Sequence, residues 1–164
     1  MPRPKNVNVI GSKLIFQTKF KENGSVERHK ARLVVQGYSQ IEGLDFEETY
    51  SPVIKPTTIR AVLAIVATSS WKIKQLDVKN ALLHGFLNKA VYIEQPPRFK
   101  SSASPDYVCK LNIYVYRLKQ APRAWFDHFS QFLLELGFLC SKADSSMFIY
   151  RTNTMIIMML VYVY

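Results

Sequence analysis

The chain has 164 residues, of which 48% are hydrophobic, and 22 Lys and Arg residues outnumber 12 Asp and Glu residues for a formal net charge of +10. Disordered chains are poor in apolar residues, so this composition excludes intrinsic disorder, and the length suits one domain with a hydrophobic core. The apolar runs are too short for a membrane span and the first residues lack the apolar stretch of a signal peptide, so we expect an intracellular chain, in the cytoplasm or the nucleus, that does not cross a membrane.

The positive charge is concentrated in two stretches of the sequence. Lys13–Arg32 contains six basic residues against two acidic ones, and Arg98–Arg123 contains six against one. Such stretches attract polyanions and favour nucleic acid or nucleotides as partners. A basic surface that is merely solvated is the alternative.

The first predicted element is a basic β-hairpin. Residues 1–12 show no periodicity, whereas Lys13–Phe20 alternates apolar and polar residues and Val26–Val35 has the composition of a second strand. Asn23-Gly24 between these two runs is typical of a hairpin turn. Lys30 and Arg32 then lie on the second strand.

We next expect a helix capped by Thr57 or Thr58, because the apolar residues that follow these threonines recur at helical spacing. Next we expect a strand over Trp71–Val78, a short helix or turn over Lys79–Phe86 and a short strand over Ala90–Glu94.

The last third of the chain predicts a second helix and a second hairpin. The helix runs from about Pro122 to Leu136, with an apolar stripe expected to face the core, formed by Trp125, Phe129, Phe132, Leu133 and Leu136. The hairpin joins Ser146–Arg151 to Met155–Tyr164, and this second strand is apolar and uncharged, which is typical of an aggregation site. Strands and helices without strict alternation predict the α+β class.

Two places carry candidate chemistry. Asp77 ends the predicted apolar strand, where a carboxylate needs a positive partner such as a divalent cation. A role of Asp77 as the cap of the following turn explains its position equally well. Lys119, Gln120 and Arg123 cluster at the start of the second helix, where free N–H groups favour anions, although ordinary polarity of a helix start also explains them. The three histidines have no metal-ligand spacing, and no Ser-His-Asp, Cys-His or P-loop arrangement is present.

Taken in order, several segments closely resemble the reverse transcriptase of copia-type LTR retrotransposons, which is part of a Pol polyprotein. The segments that carry the resemblance are Glu27–Val34, Glu48–Val53, Pro56–Arg60, Gln75–Val78, Leu83–Gly85, Glu94–Pro97 and Leu118–Trp125.

The resemblance implies a right-hand polymerase with a mixed or antiparallel sheet packed by helices. Residues 1–164 would be the N-terminal part of the domain, with fingers at about 13–56 and an incomplete palm at about 57–164. The implied activity is RNA-directed DNA polymerase, which needs an RNA or DNA template-primer, a deoxynucleoside triphosphate and Mg²⁺ ions that stabilise the attacking and leaving oxygens.

The resemblance also implies roles for individual residues. Asp77 would be the catalytic carboxylate and a Mg²⁺ ligand. The expected nucleotide-binding residues are Lys30 and Arg32 on the triphosphate, Val78 through its backbone, Leu82 at the sugar, Gln120 on the incoming nucleotide and Arg123 as its neighbour.

Three departures from the family pattern qualify these expectations. Tyr162-Val163 is followed by Tyr164 where the family has Asp-Asp, so the partner carboxylates of Asp77 are missing and we expect an inactive, truncated fragment. Leu82 stands where the family usually has Phe, and Arg117 replaces a Gly, which is costly if that turn needs positive φ. The alternatives are a basic nucleic-acid-binding remnant with no enzymatic role and an element-derived open reading frame with no selected role.

Overall fold

The computed structural model describes residues 1–83 and 85–163, with the backbone alone at Phe86. Within these residues the chain forms eight strands and two α-helices, which confirms the predicted α+β class. In chain order the elements are β1 (Val9–Ile10), β2 (Ser12–Phe20), β3 (Val26–Val35), α1 (Pro56–Ser69), β4 (Phe86–Glu94), β5 (Val108–Ile113), α2 (Ala121–Glu135), β6 (Leu139–Cys140), β7 (Met147–Arg151) and β8 (Ile156–Leu160).

The chain divides into two compact units. The first contains Met1–Thr49 and Leu82–Ala121, and the second contains Tyr50–Ala81 and the chain from Pro122 onward. Neither helix within the described residues combines the length and the apolar character needed to cross a membrane.

The β2–β3 hairpin of the first unit confirms the prediction. The strands pair antiparallel from Ser12 opposite Val35 to Lys19 opposite Arg28, and a bulge follows before Phe20. Gly24 turns the chain with φ of 79°, and its N–H donates to the carbonyl of Lys21 at 2.9 Å. Glycine reaches this conformation at little steric cost, so Gly24 suits the turn between Phe20 and Val26.

The first unit also contains a three-stranded sheet of order β1-β4-β5, with β1 parallel and β5 antiparallel to β4. Ile10, Val91 and Ile93 form its fully buried centre. The sequence did not predict β1 or β5, and β4 begins four residues before the expected Ala90. The two residues of β1 are too few to show a periodicity, and β5 mixes Lys and Asn with apolar residues, so pairing rather than pattern defines both strands.

In the second unit α1 begins earlier than predicted and is capped differently. Pro56 is its first residue and Lys55 is the N-cap residue, so the expected cap at Thr57 or Thr58 is wrong. Proline suits the first helical position because its fixed φ is helical and it has no N–H to leave unpaired. At the other end Ser70 turns the chain with a left-handed φ of 53°.

Helix α2 matches the predicted range within a residue at each end, but only part of the expected stripe is buried. Leu133 is buried together with Phe126, whereas Phe132 and Leu136 are half exposed. Trp125 and Phe129 are intermediate and stack with ring centroids 5.0 Å apart. The buried face therefore follows Phe126 and Leu133, seven residues apart, rather than the stripe beginning at Trp125.

The sheet of the second unit has the order β6-β7-β8, and both pairs are antiparallel. The β7–β8 pair confirms the predicted second hairpin, and Phe148 at its centre is fully buried. Tyr164, at the expected end of that hairpin, lies outside the described residues.

The predicted strand over Trp71–Val78 is wrong. This segment has no regular secondary structure, and residues 72–80 are all exposed. A strand needs a neighbour to satisfy its backbone N–H and C=O groups, and none of the described strands pairs with it. After it, Ala81–Leu83 forms one 3₁₀ turn, which agrees with the predicted short helix or turn, while His84 lies outside the described residues.

Candidate functional site

One face of the β2–β3 hairpin carries five basic residues. In an antiparallel pair, directly opposed side chains project from the same face, and alternate residues along each strand share it. The register therefore places on one face, named here the basic face, Lys13, Lys19, Arg28, Lys30 and Arg32. The other paired positions on this face are Ile15, Gln17 and Val34, so no paired position contributes a negative charge.

The cations of the basic face repel one another. Lys19 lies directly opposite Arg28, and like charges in this position destabilise a hairpin. The charge of Arg32, followed by loss of hydration and the charges of Arg28 and Lys19, lowers the pKa of Lys30 below its ordinary value. An anion placed among these side chains would relieve the repulsion and favour the charged form of Lys30.

Arg32 is the most constrained cation of the basic face. Its guanidinium donates to Oε1 of Gln17 at 3.2 Å and lies 5.7 Å from the ring centroid of Tyr116. The root of the hairpin is also joined to this segment, since the N–H of Val35 donates to the carbonyl of Tyr116 at 3.1 Å. These contacts orient Arg32 while leaving much of its hydrogen-bonding capacity open.

Lys119 and Gln120 are held by a buried polar network that the sequence did not predict. Buried Gln40 accepts from the N–H of Lys119 at 2.8 Å and donates through Nε2 to Oε1 of Gln120 at 2.9 Å. Nε2 of Gln120 donates to the carbonyl of Asp45 at 3.2 Å. Both ends of the Gln120 amide are thus engaged within the protein.

Asp45 completes this network. It is almost fully buried, and its Oδ2 accepts from Nδ2 of Asn8 at 2.6 Å and from the N–H of Ile41 at 2.8 Å. The Lys119 ammonium lies 4.9 Å from the ring centroid of Phe46. Gln40 and Asp45 are positioning residues, and no local sequence signal reveals them because their partners lie up to 80 residues away.

The remaining predicted site residues belong partly to the other unit. Arg123, in the second unit, forms an ion pair with Asp127 at 2.8 Å and donates to the carbonyl of Tyr50 at 3.1 Å. Leu82, in the first unit, is half-buried in the 3₁₀ turn. The two units thus divide the predicted nucleotide-binding residues into Lys30, Arg32, Leu82 and Gln120 on one side and Val78 and Arg123 on the other.

Asp77 and Val78 lie in the irregular exposed segment of the second unit. The carboxylate of Asp77 is exposed, and the carbonyl of Val78 accepts from the N–H of Ala81 at 3.3 Å. Magnesium takes near-octahedral oxygen coordination and is commonly held by one or two carboxylates with water. Within residues 1–83 and 85–163 no group of three His, Cys, Asp or Glu side chains is placed to hold a metal ion.

A second buried carboxylate, Asp144, has a structural role. Its Oδ2 accepts from the N–H of Lys55 at 2.9 Å and from the hydroxyl of Thr58 at 2.6 Å, and its Oδ1 accepts from the N–H of Ser146 at 3.0 Å. Burial acts to raise the pKa of Asp144, but these hydrogen bonds and the charge of Lys55 outweigh it and lower the pKa below its ordinary value. Asp144 thus joins its own loop to the start of α1, through the backbone of Lys55 and the side chain of Thr58.

Comparison with known proteins gives a family match over the whole chain. Residues 1–164 match the model of the reverse transcriptase (RNA-dependent DNA polymerase) family. The chain is 51% identical over 162 residues to the retrovirus-related Pol polyprotein from transposon RE2 of Arabidopsis thaliana, covering 99% of this chain and 11% of that protein. It is 40% identical over 159 residues to the corresponding polyprotein from transposon TNT 1-94 of Nicotiana tabacum, covering 96% of this chain and 12% of that protein.

The chain thus spans about a tenth of the length of these curated relatives. No solved structure matches it.

Proposed function

Because this chain belongs to the reverse transcriptase (RNA-dependent DNA polymerase) family, in the form found in copia-type retrotransposon Pol polyproteins, we propose that its basic face binds phosphates of a template-primer and a deoxynucleoside triphosphate. The observation that supports this most strongly is the placement of five cations on one face of a hairpin with no paired acid among them. Such an arrangement costs stability unless an anion offsets it.

The finer assignments belong to the same proposal. The hairpin would lie in fingers formed by about residues 13–56, and about residues 57–164 would be mostly palm. Lys30 and Arg32 would bind the triphosphate, since they are two residues apart on one strand and project from the same face. Charge-assisted hydrogen bonds from such a pair to phosphate oxygens are short and strong.

The remaining nucleotide contacts follow the family pattern. Gln120 would touch the incoming nucleotide, Leu82 its sugar and the backbone of Val78 its phosphates, with Arg123 nearby. The network through Gln40 and Asp45 fixes the orientation of Gln120, so this side chain would present a preorganised surface rather than a mobile amide.

In the proposed reaction the primer 3′-hydroxyl attacks the α-phosphorus of the triphosphate, a new P–O bond forms and pyrophosphate leaves. Asp77 is the proposed catalytic carboxylate and Mg²⁺ the proposed cofactor. The role proposed for the cations of the basic face is to bind and orient phosphates.

A second candidate function is nucleic-acid binding without catalysis. Tyr164 occupies the position where the family pattern places an Asp, and a neutral phenol is a poor Mg²⁺ ligand. Under this alternative the basic face still binds phosphates, and only the chemical step is absent.

Charge removal on the basic face tests the proposed function. Lys30→Gln and Arg32→Gln should each weaken binding of a fluorescently labelled primer-template by severalfold at 100 mM salt, measured by fluorescence anisotropy. Each substitution should also reduce the slope of log affinity against log salt by about one, because one phosphate contact is lost.

Lys142→Gln is the matched control, since it removes one exposed charge from the second unit and the hairpin belongs to the first. Equal effects of all three substitutions would show that net charge, rather than the basic face, drives binding, and would contradict the proposal.

A further inference from the structure

We propose that a cleft at the root of the hairpin binds one nucleotide of a single nucleic-acid strand, with its phosphate between Lys13 and Arg117 and its base stacked on Tyr38. This inference rests on the proposed function and adds to it a defined single-strand subsite. Its distinctive residue is Arg117, which departs from the family pattern.

The cleft lies within the first unit and has a volume of about 370 Å³. Its polar and glycine lining residues are Lys13, Gln36, Gly37, Tyr38, Arg117 and Lys119. This volume falls within the range of small-molecule sites, and the cleft is open to solvent so that a strand can enter and leave.

The electrostatics of the cleft select an anion. Lys13, Arg117 and Lys119 are all cationic, and none of the described residues that line the cleft is acidic. Lys119 is partly committed elsewhere, because its ammonium lies against the ring of Phe46 and near the carbonyl of Gln40. Lys13 and Arg117 are both exposed and provide the charges for an incoming phosphate.

The backbone at Arg117 is strained in a way that places this cation at the cleft. Arg117 has a left-handed φ of 71°, a conformation that costs an L residue roughly 1–2 kcal/mol and that Gly adopts freely. Its carbonyl oxygen lies so close to Gly37 that a Cβ there would clash with it. Strain of this kind persists only where surrounding structure enforces it, and it concentrates at binding sites.

Tyr38 provides the second half of a single-strand site. Its side chain is 78% exposed, yet its hydroxyl donates to Oε1 of Gln36 at 2.9 Å, which fixes the ring at the cleft. Sites for single strands combine a cationic groove with an exposed aromatic ring on which a base stacks. Tyr38 beside Lys13 and Arg117 has this combination.

The cleft is also continuous with the basic face. Lys13 belongs to both, as the cation nearest the root of the hairpin, and Arg32 lies over Tyr116, the neighbour of Arg117 in sequence. A strand whose phosphates follow the basic face would therefore reach the cleft at the root of the hairpin.

The test compares a labelled 12-nucleotide oligo(dT) strand with a blunt 12-base-pair duplex, using the full chain and fluorescence anisotropy. Tyr38→Ala should weaken binding of the single strand about fivefold or more, and Tyr38→Phe should weaken it less, because the ring is retained although its hydrogen bond to Gln36 is lost. Arg117→Gly should weaken binding about threefold or more and reduce the salt slope for the single strand by about 0.7, whereas duplex binding should change less than twofold for all three.

Arg98→Gly is the matched control for Arg117→Gly. Arg98 is also an exposed arginine with left-handed φ, at 72°, but it does not line the cleft. It should leave single-strand binding within twofold of the wild type. If wild-type chain binds neither oligonucleotide, the proposed function fails together with this inference. If it binds both and Tyr38→Ala and Arg117→Gly retain single-strand affinity, or if Arg98→Gly matches the loss of Arg117→Gly, the cleft proposal alone is overturned.

Discussion

At the scale of single residues, Arg117 and Gly37 form a close backbone contact whose two sides respond differently to substitution. Arg117→Gly should raise the free energy of unfolding by about 1 kcal/mol, since the left-handed conformation costs Gly little. Gly37→Ala should lower it by several kcal/mol because the new Cβ would clash with the Arg117 carbonyl.

Urea unfolding followed by circular dichroism measures both changes. Gly24→Ala is the control for Gly37→Ala, because Gly24 has positive φ but an added Cβ there would meet no atom within 4 Å. A cost at Gly37 no larger than at Gly24 would contradict the close packing of Gly37 against the Arg117 carbonyl.

Asp144 leads to a second prediction at the scale of single residues, which concerns how the stability of the fold depends on pH. Because its folded-state pKa is lowered, Asp144 contributes stability that is present above its unfolded-state pKa and is lost as the pH falls through the folded-state value. The free energy of unfolding should therefore decline as the pH falls below the ordinary value near 3.8.

Asp144→Asn should flatten this decline and destabilise the fold at pH 7 by about 1–3 kcal/mol, because a buried amide cannot satisfy the same three donors. Asp106→Asn, at an exposed loop position, should leave both the stability and its pH profile nearly unchanged. If the free energy of unfolding of Asp144→Asn declines at low pH as steeply as that of the wild type, another group controls the decline.

At the scale of elements, β8 is an edge strand with an apolar surface. It ends the order β6-β7-β8, and Ile156 and Ile157 are 39% and 36% exposed. Unpaired apolar edges promote strand-to-strand association between molecules. Ile157→Lys should therefore reduce light scattering of concentrated protein, as charged residues do on natural sheet edges.

Leu63→Lys is the matched control for this effect. Leu63 is an exposed apolar residue of α1, so the substitution adds the same charge away from the edge. Equal suppression of scattering by both substitutions would attribute association to net charge rather than to β8.

The sequence predicted correctly those elements that are defined by residues close together in the chain. The hairpin of β2 and β3 depends on alternation and on Asn23-Gly24, which lie within a few residues of each other. The hydroxyl of Thr58, expected to cap α1, instead donates to Asp144, 86 residues further along the chain, and no pattern near the helix predicts this partner. The expected strand before Asp77 failed because a strand depends on a partner, and its composition alone cannot supply one.

The residues of the candidate site also fall into those that local sequence predicts and those that it does not. The predicted hairpin already contains Lys30 and Arg32 on its second strand, and their spacing of two residues puts both side chains on one face. Gln40 and Asp45, which orient Gln120, escaped prediction because a buried amide or carboxylate in a loop looks like ordinary surface polarity in sequence. Family resemblance predicts that Gln120 binds the nucleotide, and the fold shows which groups hold its amide.

At the scale of the whole molecule, binding and catalysis should separate. We expect the 164-residue chain to bind a primed RNA template but not to extend the primer with deoxynucleoside triphosphates and Mg²⁺. The proposed two-metal reaction needs a carboxylate in addition to the proposed ligand Asp77, and Tyr164, at the position where the family pattern has Asp, carries none. Extension above background in a gel assay, against an active reverse transcriptase as positive control, would contradict this expectation.

The salt dependence of nucleic-acid binding tests the central claim, that the basic face contacts phosphates. Binding of the wild-type chain to a labelled primer-template, measured by anisotropy between 50 and 300 mM salt, should give a plot of log affinity against log salt with a slope of about −3 or steeper, because several counterions are released. A flat response, with affinity independent of salt, would show that phosphate contacts do not drive binding and would contradict the claim.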